Sequence, residues 1–259
     1  MNEERLIELL VSLHEGLDRL GPGNTASTLR ALAMCEDLPS APDVLDVGCG
    51  AGAQTLVLAD HTHGSLVATD LFPVFLEKFA ANLNKRGLTS RVQLLPADMN
   101  TLPFADSSFD LIWSEGAIYS MGFDEGLRRW RPLVRPGGYL VVSEASWFKP
   151  DPPDRLKSFW AGNYPAMRAV DDNLASAQDL GWTPVGHFHL PVDAWQTDYY
   201  QPLRERLPVF LETHEHAADA KAVAEMTELE MDLLSAYSDY YGYAFYVLHR
   251  PHGILSGGD

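Results

Sequence analysis

The chain has 259 residues, 46% of them hydrophobic, enough for a large core and far from a disordered composition. Acids outnumber bases 36 to 19, and the resulting formal charge of −17 disfavours any role that depends on DNA, RNA or anionic lipid. No apolar run reaches the roughly 20 residues of a membrane span, and the acidic opening MNEERLIELL does not read as a signal peptide.

Leu6, Leu9, Leu10, Leu13, Leu17 and Leu20 predict an amphipathic helix from Glu4 to Leu20, stopped by Gly21-Pro22-Gly23. Asn24 or Thr25 then caps a second helix running to about Met34, so 1–35 form an N-terminal helical segment. After Pro42 short β-branched runs alternate with helical patterns. Strands are expected near 44–47, 66–70, 92–95, 110–114 and 139–143, and helices near 53–59, 73–86 and 124–134. A sixth strand falls at Val185 to Leu190 and a last one at Ala244 to His249. The alternation implies an α/β fold with a mostly parallel sheet and a core region over 40–148, all within one domain spanning 1–259. Two insertions exceed that frame, one over 149–170 and one over 192–242. Trp147, Phe148, Phe159, Trp160 and Tyr164 crowd the first, and Trp195, Tyr199, Tyr200, Tyr240, Tyr241 and Tyr243 the second. Together they are expected to form a helical lid over an aromatic-lined pocket, or to serve a homodimer contact. The tail from Gly253 to Asp259 is expected to be disordered.

Within this frame the stretch Val44 to Thr55, VLDVGCGAGAQT, carries the most chemistry. A buried strand breaks into Gly48-Cys49-Gly50-Ala51-Gly52 before a helix begins, which is how a crevice for a nucleotide-like cofactor forms at the carboxyl end of a parallel strand. Glycines allow positive φ and bring a ligand close to bare backbone. Gly48, Gly50 and Ala53 also satisfy a dinucleotide fingerprint, so an NAD-dependent oxidoreductase is one reading. Asp46 argues against it. An acid in an apolar strand needs a partner, which loop amides or a cationic ligand group would supply, and it would repel a pyrophosphate. A cofactor with an amino group and a sulfonium suits it better.

Asp46-Val47-Gly48-Cys49-Gly50-Ala51-Gly52 resembles the first motif of the class I S-adenosylmethionine-dependent methyltransferases, D/E-x-G-x-G-x-G. The resemblance continues through Val67-Ala68-Thr69-Asp70, Val92 to Met99, Ser108-Phe109-Asp110-Leu111-Ile112 and Leu133-Val134-Arg135-Pro136-Gly137-Gly138-Tyr139-Leu140. It is nearest to the small-molecule subset typified by the ubiquinone and menaquinone biosynthesis enzymes. Trp113 to Tyr119 and Ser143 to Phe148 resemble a group of uncharacterised bacterial relatives. The resemblance implies a Rossmann-like, seven-stranded sheet whose last strand runs antiparallel beside the sixth. It also implies S-adenosylmethionine as cofactor, S-adenosylhomocysteine as product and a small-molecule acceptor methylated on carbon, nitrogen or oxygen. The cofactor would lie against Asp46, Gly48, Cys49, Gly50, Gly52, Gln54, Thr55, Asp70, Leu71, Asp98, Met99, Ser114 and Glu115. Asp70 would accept from the ribose hydroxyls, and Asp98 with the next amide would read the adenine edge.

Methyl transfer from an activated donor is mainly a proximity task, and a general base matters only if the acceptor still holds a proton. Ser114-Glu115 and Ser143-Glu144 are expected to place two carboxylates at neighbouring strand ends facing one crevice, as base or amine anchor, with Tyr119 orienting a substrate. The structural alternative is that one carboxylate caps a helix and the other binds loop amides. His187 and His189, and His214 and His216, lack an acid or cysteine at ligand spacing, so no metal site is expected. Cys35 and Cys49 make neither a disulfide framework nor a zinc pattern, and a reducing cytoplasm is the expected compartment. A non-catalytic protein that binds the cofactor or a small molecule is the remaining alternative.

Overall fold

The computed structural model describes residues 1–252, so the expectation for the tail from Gly253 lies outside the described residues. Strands β1 (Val44–Val47), β2 (Leu66–Asp70), β3 (Val92–Pro96), β4 (Phe109–Glu115), β5 (Val134–Trp147), β6 (Arg168–Ala169), β7 (Thr183–His189) and β8 (Tyr241–His249) form one sheet. Its order is β3-β2-β1-β4-β5-β8-β7, with the short β6 pairing beside β5. The strands from β3 to β5 pair in parallel, and β8 runs antiparallel between β5 and β7. This is the expected Rossmann-like arrangement, with β6 as an addition too short to leave a sequence pattern.

Helices α1 (Glu3–His14) and α2 (Thr25–Ala33) precede the sheet. Asn2 caps α1 by accepting from the Arg5 amide, and Asn24 caps α2 through the Ser27 amide. Helix α3 (Ala53–His61) follows β1, α4 (Pro73–Arg86) follows β2, and α5 (Phe123–Trp130) follows β4. Pro73 opens α4, and Gly87 closes it in the left-handed region at φ 67°. Helix α6 (Asp154–Asn163) lies in the first insertion, and α7 (Val170–Asp179) precedes β7. The second insertion is helical: α8 (Val192–Trp195), a π-helical turn at Gln196–Tyr200, α9 (Gln201–Thr213) and α10 (Ala218–Tyr237).

Side chains alternate across the sheet and divide the core in two. Trp113, Val141, Phe245 and Val247 belong to a cluster with Leu9 and Leu13 of α1, Phe79 of α4 and Phe210 of α9. Ile112, Leu140, Val142 and Tyr246 pack against Leu127 and Trp130 of α5 and Ala177 of α7. The lid helices therefore cover one face, and α5 and α7 the other.

Helix α5 stops at Trp130, short of the expected 134, and β7 starts at Thr183 where Val185 was expected; three further differences bear on the site. Helix α1 ends at His14 instead of Leu20, because Glu15 turns extended at ψ 131° and Gly16 is left-handed at φ 86°. Leu17 still packs on the core, but from a loop. Strand β5 is 14 residues long, since β8 offers it backbone partners from Tyr139 to Trp147. The same pairing starts β8 at Tyr241, so the second insertion ends before the residues first assigned to it.

Gly64 shows how tightly the turn before β2 is built. A Cβ there would lie 1.7 Å from the Pro42 carbonyl oxygen, a backbone atom that cannot swing away. Gly64→Ala is expected to destabilise the fold by about 1–3 kcal/mol, as other overpacked sites do. An unchanged denaturant midpoint would show that this turn yields freely.

Candidate functional site

The carboxyl ends of β1, β2 and β4 meet where the strand order reverses direction, the usual crevice of an open α/β sheet. Gly48, Gly50 and Gly52 all have positive φ, at 72°, 55° and 86°. The Gly48 and Cys49 amides donate to the Thr69 carbonyl at 2.8 and 2.9 Å, tying the loop to β2. Asp70, at the end of β2, accepts from the Gly50 amide on one oxygen at 2.8 Å and from the Phe72 amide on the other at 2.9 Å. Each oxygen keeps a free lone pair. Leu71 beside it is 57% exposed, an apolar side chain open to the crevice edge.

Asp46 is fully buried and finds its partners inside the chain, neither in loop amides nor in a ligand group. Thr55 Oγ1 donates to it at 2.5 Å and Gln54 Nε2 at 3.3 Å. Burial pushes its carboxyl up to about 7, the two hydrogen bonds opposing and the charges of Glu115 and Asp70 adding to the rise. Burial likewise pushes the Cys49 thiol well above its ordinary range, leaving a packing residue. Asp98 is exposed and held below the usual carboxylate range by the Asn100 amide and side chain, both at 2.8 Å. Met99 lies under the glycine loop, its Cε 3.8 Å from where a Cβ on Gly48 would sit.

The two carboxylates expected to share a crevice do not. The register pairs Glu115 with Ser143, so Glu144 falls one residue out of step and points to the opposite face of the sheet. Ser143 Oγ instead accepts from the Gly116 amide at 2.8 Å. Glu115 sits on the lid face and accepts from three donors, two on Oε1 and one on Oε2. Arg19 Nη1 donates to it at 3.0 Å, Thr28 Oγ1 at 2.7 Å and Trp113 Nε1 at 2.9 Å. Glu144 and Ser114, on the other face, have buried oxygens with no hydrogen-bond partner. Tyr119 is 48% exposed and packs edge-on against Tyr164, ring centroids 6.0 Å apart.

The Arg19 contact was not visible in the sequence, because its partner lies 96 residues away and no spacing links them. It fastens the loop between α1 and α2 over the site. Leu20 packs on the glycine loop so closely that a Cβ on Gly50 would lie 2.7 Å from Leu20 Cδ1. On the other side, a Cβ on Gly48 would lie 2.4 Å from that of Ala117 in the turn after β4. The histidines disperse: His189 stacks on Phe148 with centroids 3.7 Å apart, and His214 Nε2 pairs with Ser12 Oγ. Arg128 and Arg129, in the densest basic run, pair with Glu125 on α5.

Residues 45–142 match the family model of a methyltransferase domain. The methyltransferase GfsG of Streptomyces halstedii is 35% identical over 109 residues, 42% of this chain and 39% of that protein. The uncharacterized methyltransferase YodH of Bacillus subtilis is 30% identical over 136 residues, 52% of this chain and 57% of that protein. The chain thus spans about half the length, or less, of such curated relatives. The fold extends further. A methyltransferase of Thiobacillus denitrificans, solved in complex with S-adenosylhomocysteine, superimposes with a TM-score of 0.75 at 19% identity, over 96% of this chain and 99% of that one.

Two outcomes are expected of these contacts. The folded chain binds the Asp46 proton more tightly than the unfolded one, so that contribution to stability is complete below about pH 4 and is lost as pH rises through about 7. Asp46→Asn should flatten this part of the fall in melting temperature, and parallel profiles for the two proteins would refute the assignment. Arg19→Ala removes one partner of a buried pair, which is expected to destabilise by about 3 kcal/mol and to speed amide exchange over residues 17–23. If neither changes, Arg19 does not anchor the loop.

Proposed function

We propose that this chain, whose residues 45–142 match a methyltransferase domain, is a class I S-adenosylmethionine-dependent methyltransferase that moves a methyl group from S-adenosylmethionine to a small-molecule acceptor. One observation carries the reading: the left-handed glycines at 48, 50 and 52 lie beside Asp70, which takes the Gly50 amide and keeps a free lone pair on each oxygen at the switch point of the sheet. When bound, the cofactor supplies a methyl group already activated on a sulfonium.

The residues present suit it. Asp70 would accept from two neighbouring ribose hydroxyls while its other lone pairs keep the glycine loop and the α4 entry in place. Asp98 is exposed and free to accept from an exocyclic amine, with Leu71 and Met99 as apolar surfaces for the base. Gly48, Cys49, Gly50 and Gly52 would offer bare backbone, and Ser114 Oγ lacks a partner that a ligand could supply. Asp46, Gln54 and Thr55 would act one layer back, by holding the loop to α3.

Glu115 takes a positioning part in this reading. Its bonds to Arg19, Thr28 and Trp113 hold the α1–α2 loop over the site and exclude water, which is what a proximity mechanism asks of a lid. The half-exposed Tyr119 phenol offers a contact for the acceptor. A nicotinamide reading has less support, since residues 45–142 match a methyltransferase domain. The charge of −17 favours a small molecule over nucleic acid as substrate. No helix among the described residues is long and apolar enough to cross a membrane, and two free, buried cysteines suit a reducing cytoplasm. A homodimer contact on the second insertion would use exposed Val209 and Leu229.

Calorimetry with S-adenosylhomocysteine tests the cofactor. Saturable binding is expected, weakened at least tenfold by Asp98→Ala, a change that removes only an exposed side chain bonded to Asn100. Absence of binding by protein with a native circular-dichroism spectrum would sink the reading. Transfer of a labelled methyl to a component of a metabolite extract then separates an enzyme from a binder.

A further inference from the structure

Glu144 takes no part in the contacts around the glycine loop, yet it is the least satisfied charged group at the site. It is 3% exposed, and neither of its carboxylate oxygens completes a hydrogen bond. Buried carboxylates without partners are rare, and each one in a native chain calls for a ligand, a water or a proton. Burial pushes this carboxyl up to about 8, with the nearby Tyr164 hydroxyl, the Ala145 amide and the Arg168 charge offsetting part of the rise.

The neighbouring polar groups are already committed. Arg168 donates to both oxygens of Asp124, at 3.1 and 2.6 Å, and through Nε to Asn173 at 2.9 Å. Ser146 Oγ, Tyr246 and Asn173 bond to one another. What remains open beside Glu144 is aromatic. Tyr164 packs edge-on to Tyr119, and with Trp147, Trp160 and Met167 it also lines a cleft of about 380 Å³. Ser114 Oγ, another buried oxygen without a partner, lies on the same face of the adjacent strand. The turn joining β4 to Tyr119 touches the glycine loop through Ala117 and bonds to β5 through Gly116. Glu144 therefore stands next to the cofactor crevice, beyond the end of the loop that would hold the donor.

We propose that Glu144 anchors a protonated amine on the methyl acceptor, with the rings of Tyr164 and Tyr119 flanking the cation. This rests on the methyl-transfer reading and names its substrate class. An acidic acceptor would be repelled by the carboxylate. A hydroxyl would fill one lone pair and leave the charge uncompensated. An ammonium supplies both donors and the opposite charge, and aromatic faces attract it further. When the ammonium passes a proton to Glu144, one N–H bond breaks and one carboxyl O–H bond forms. The nitrogen lone pair is then free to accept a methyl group, and the buried carboxyl becomes neutral.

The test uses the 259-residue chain without cofactor, titrated with benzylamine and with benzyl alcohol, its uncharged counterpart, in the parent chain and in Glu144→Gln. Benzylamine is expected to bind at least tenfold more tightly than benzyl alcohol in the parent. Glu144→Gln should erase that preference and leave the circular-dichroism spectrum and S-adenosylhomocysteine affinity unchanged, while flattening the fall in melting temperature as pH rises through about 8. Equal binding of the two probes, or a preference that survives the substitution, overturns the anchor. The two readings fail separately. Amine binding through Glu144 without transfer of a labelled methyl to amines keeps the anchor and removes the enzyme reading. Transfer to a carbon or hydroxyl acceptor, undiminished in Glu144→Gln, keeps the enzyme and overturns the anchor.

Discussion

The two hydrogen bonds that Asp70 accepts, from the Gly50 and Phe72 amides, join the loop after β1, 20 residues away, to the end of β2 and the entry to α4. A glycine loop has little side-chain packing of its own, and left alone it would sample many conformations. Here the Thr69 carbonyl takes two of its amides and the Asp70 carboxylate a third, so the loop's shape is set by the neighbouring strand. Asp46 completes the frame from beneath by fastening Gln54 and Thr55 at the start of α3. The loop is held where a cofactor would need close backbone by two acids, the buried Asp46 and the half-buried Asp70.

A second constraint is strand register. Parallel pairing sets Glu115 opposite Ser143, and a period of two then sends Glu115 and Glu144 to opposite faces. The faces have different covers. On the lid side Glu115 meets Arg19 and Thr28, delivered by the N-terminal segment, and with Trp113 becomes an anchor held by three donors. On the α5–α7 side Glu144 meets tyrosines and an arginine already committed to Asp124. Two carboxylates one strand apart thus acquire opposite characters, one bonded and one unpaired, through a shift of a single residue. The same logic governs their acidity, since burial without donors raises a carboxyl and nothing near Glu144 fully opposes it.

The aromatic insertions follow from what the sheet leaves uncovered. β8 lies between β5 and β7 and is buried along nearly its whole length, which fixes Tyr241, Tyr243 and the helices leading to them. Trp195 packs on Tyr243 with centroids 4.8 Å apart, and Trp160 on Tyr241 at 5.2 Å. These contacts bring the two insertions to one end of the sheet. The aromatic cluster there is therefore assembled from segments far apart in the chain, whereas the glycine loop and the strands beside it come from a nearly continuous stretch.

That contrast explains what was legible in the residues alone. The order of strands, the glycine loop, Asp70 and Asp98 could be read because they depend on local pattern: hydrophobic runs, turn glycines and an acid at a strand end. The early stop of α1 at His14 was not legible, since leucines continue at helical spacing to Leu20 while Gly16 leaves the helix to carry the loop over the site. The length of β5 was hidden for a similar reason, because only a neighbouring strand reveals how far a strand can pair. Above all, sequence put Glu115 and Glu144 at adjacent strand ends and could go no further. Which face each one takes, and which finds a partner, was decided by register and by contacts across as many as 96 residues. Local pattern sets which groups are available; long-range packing sets what each of them touches.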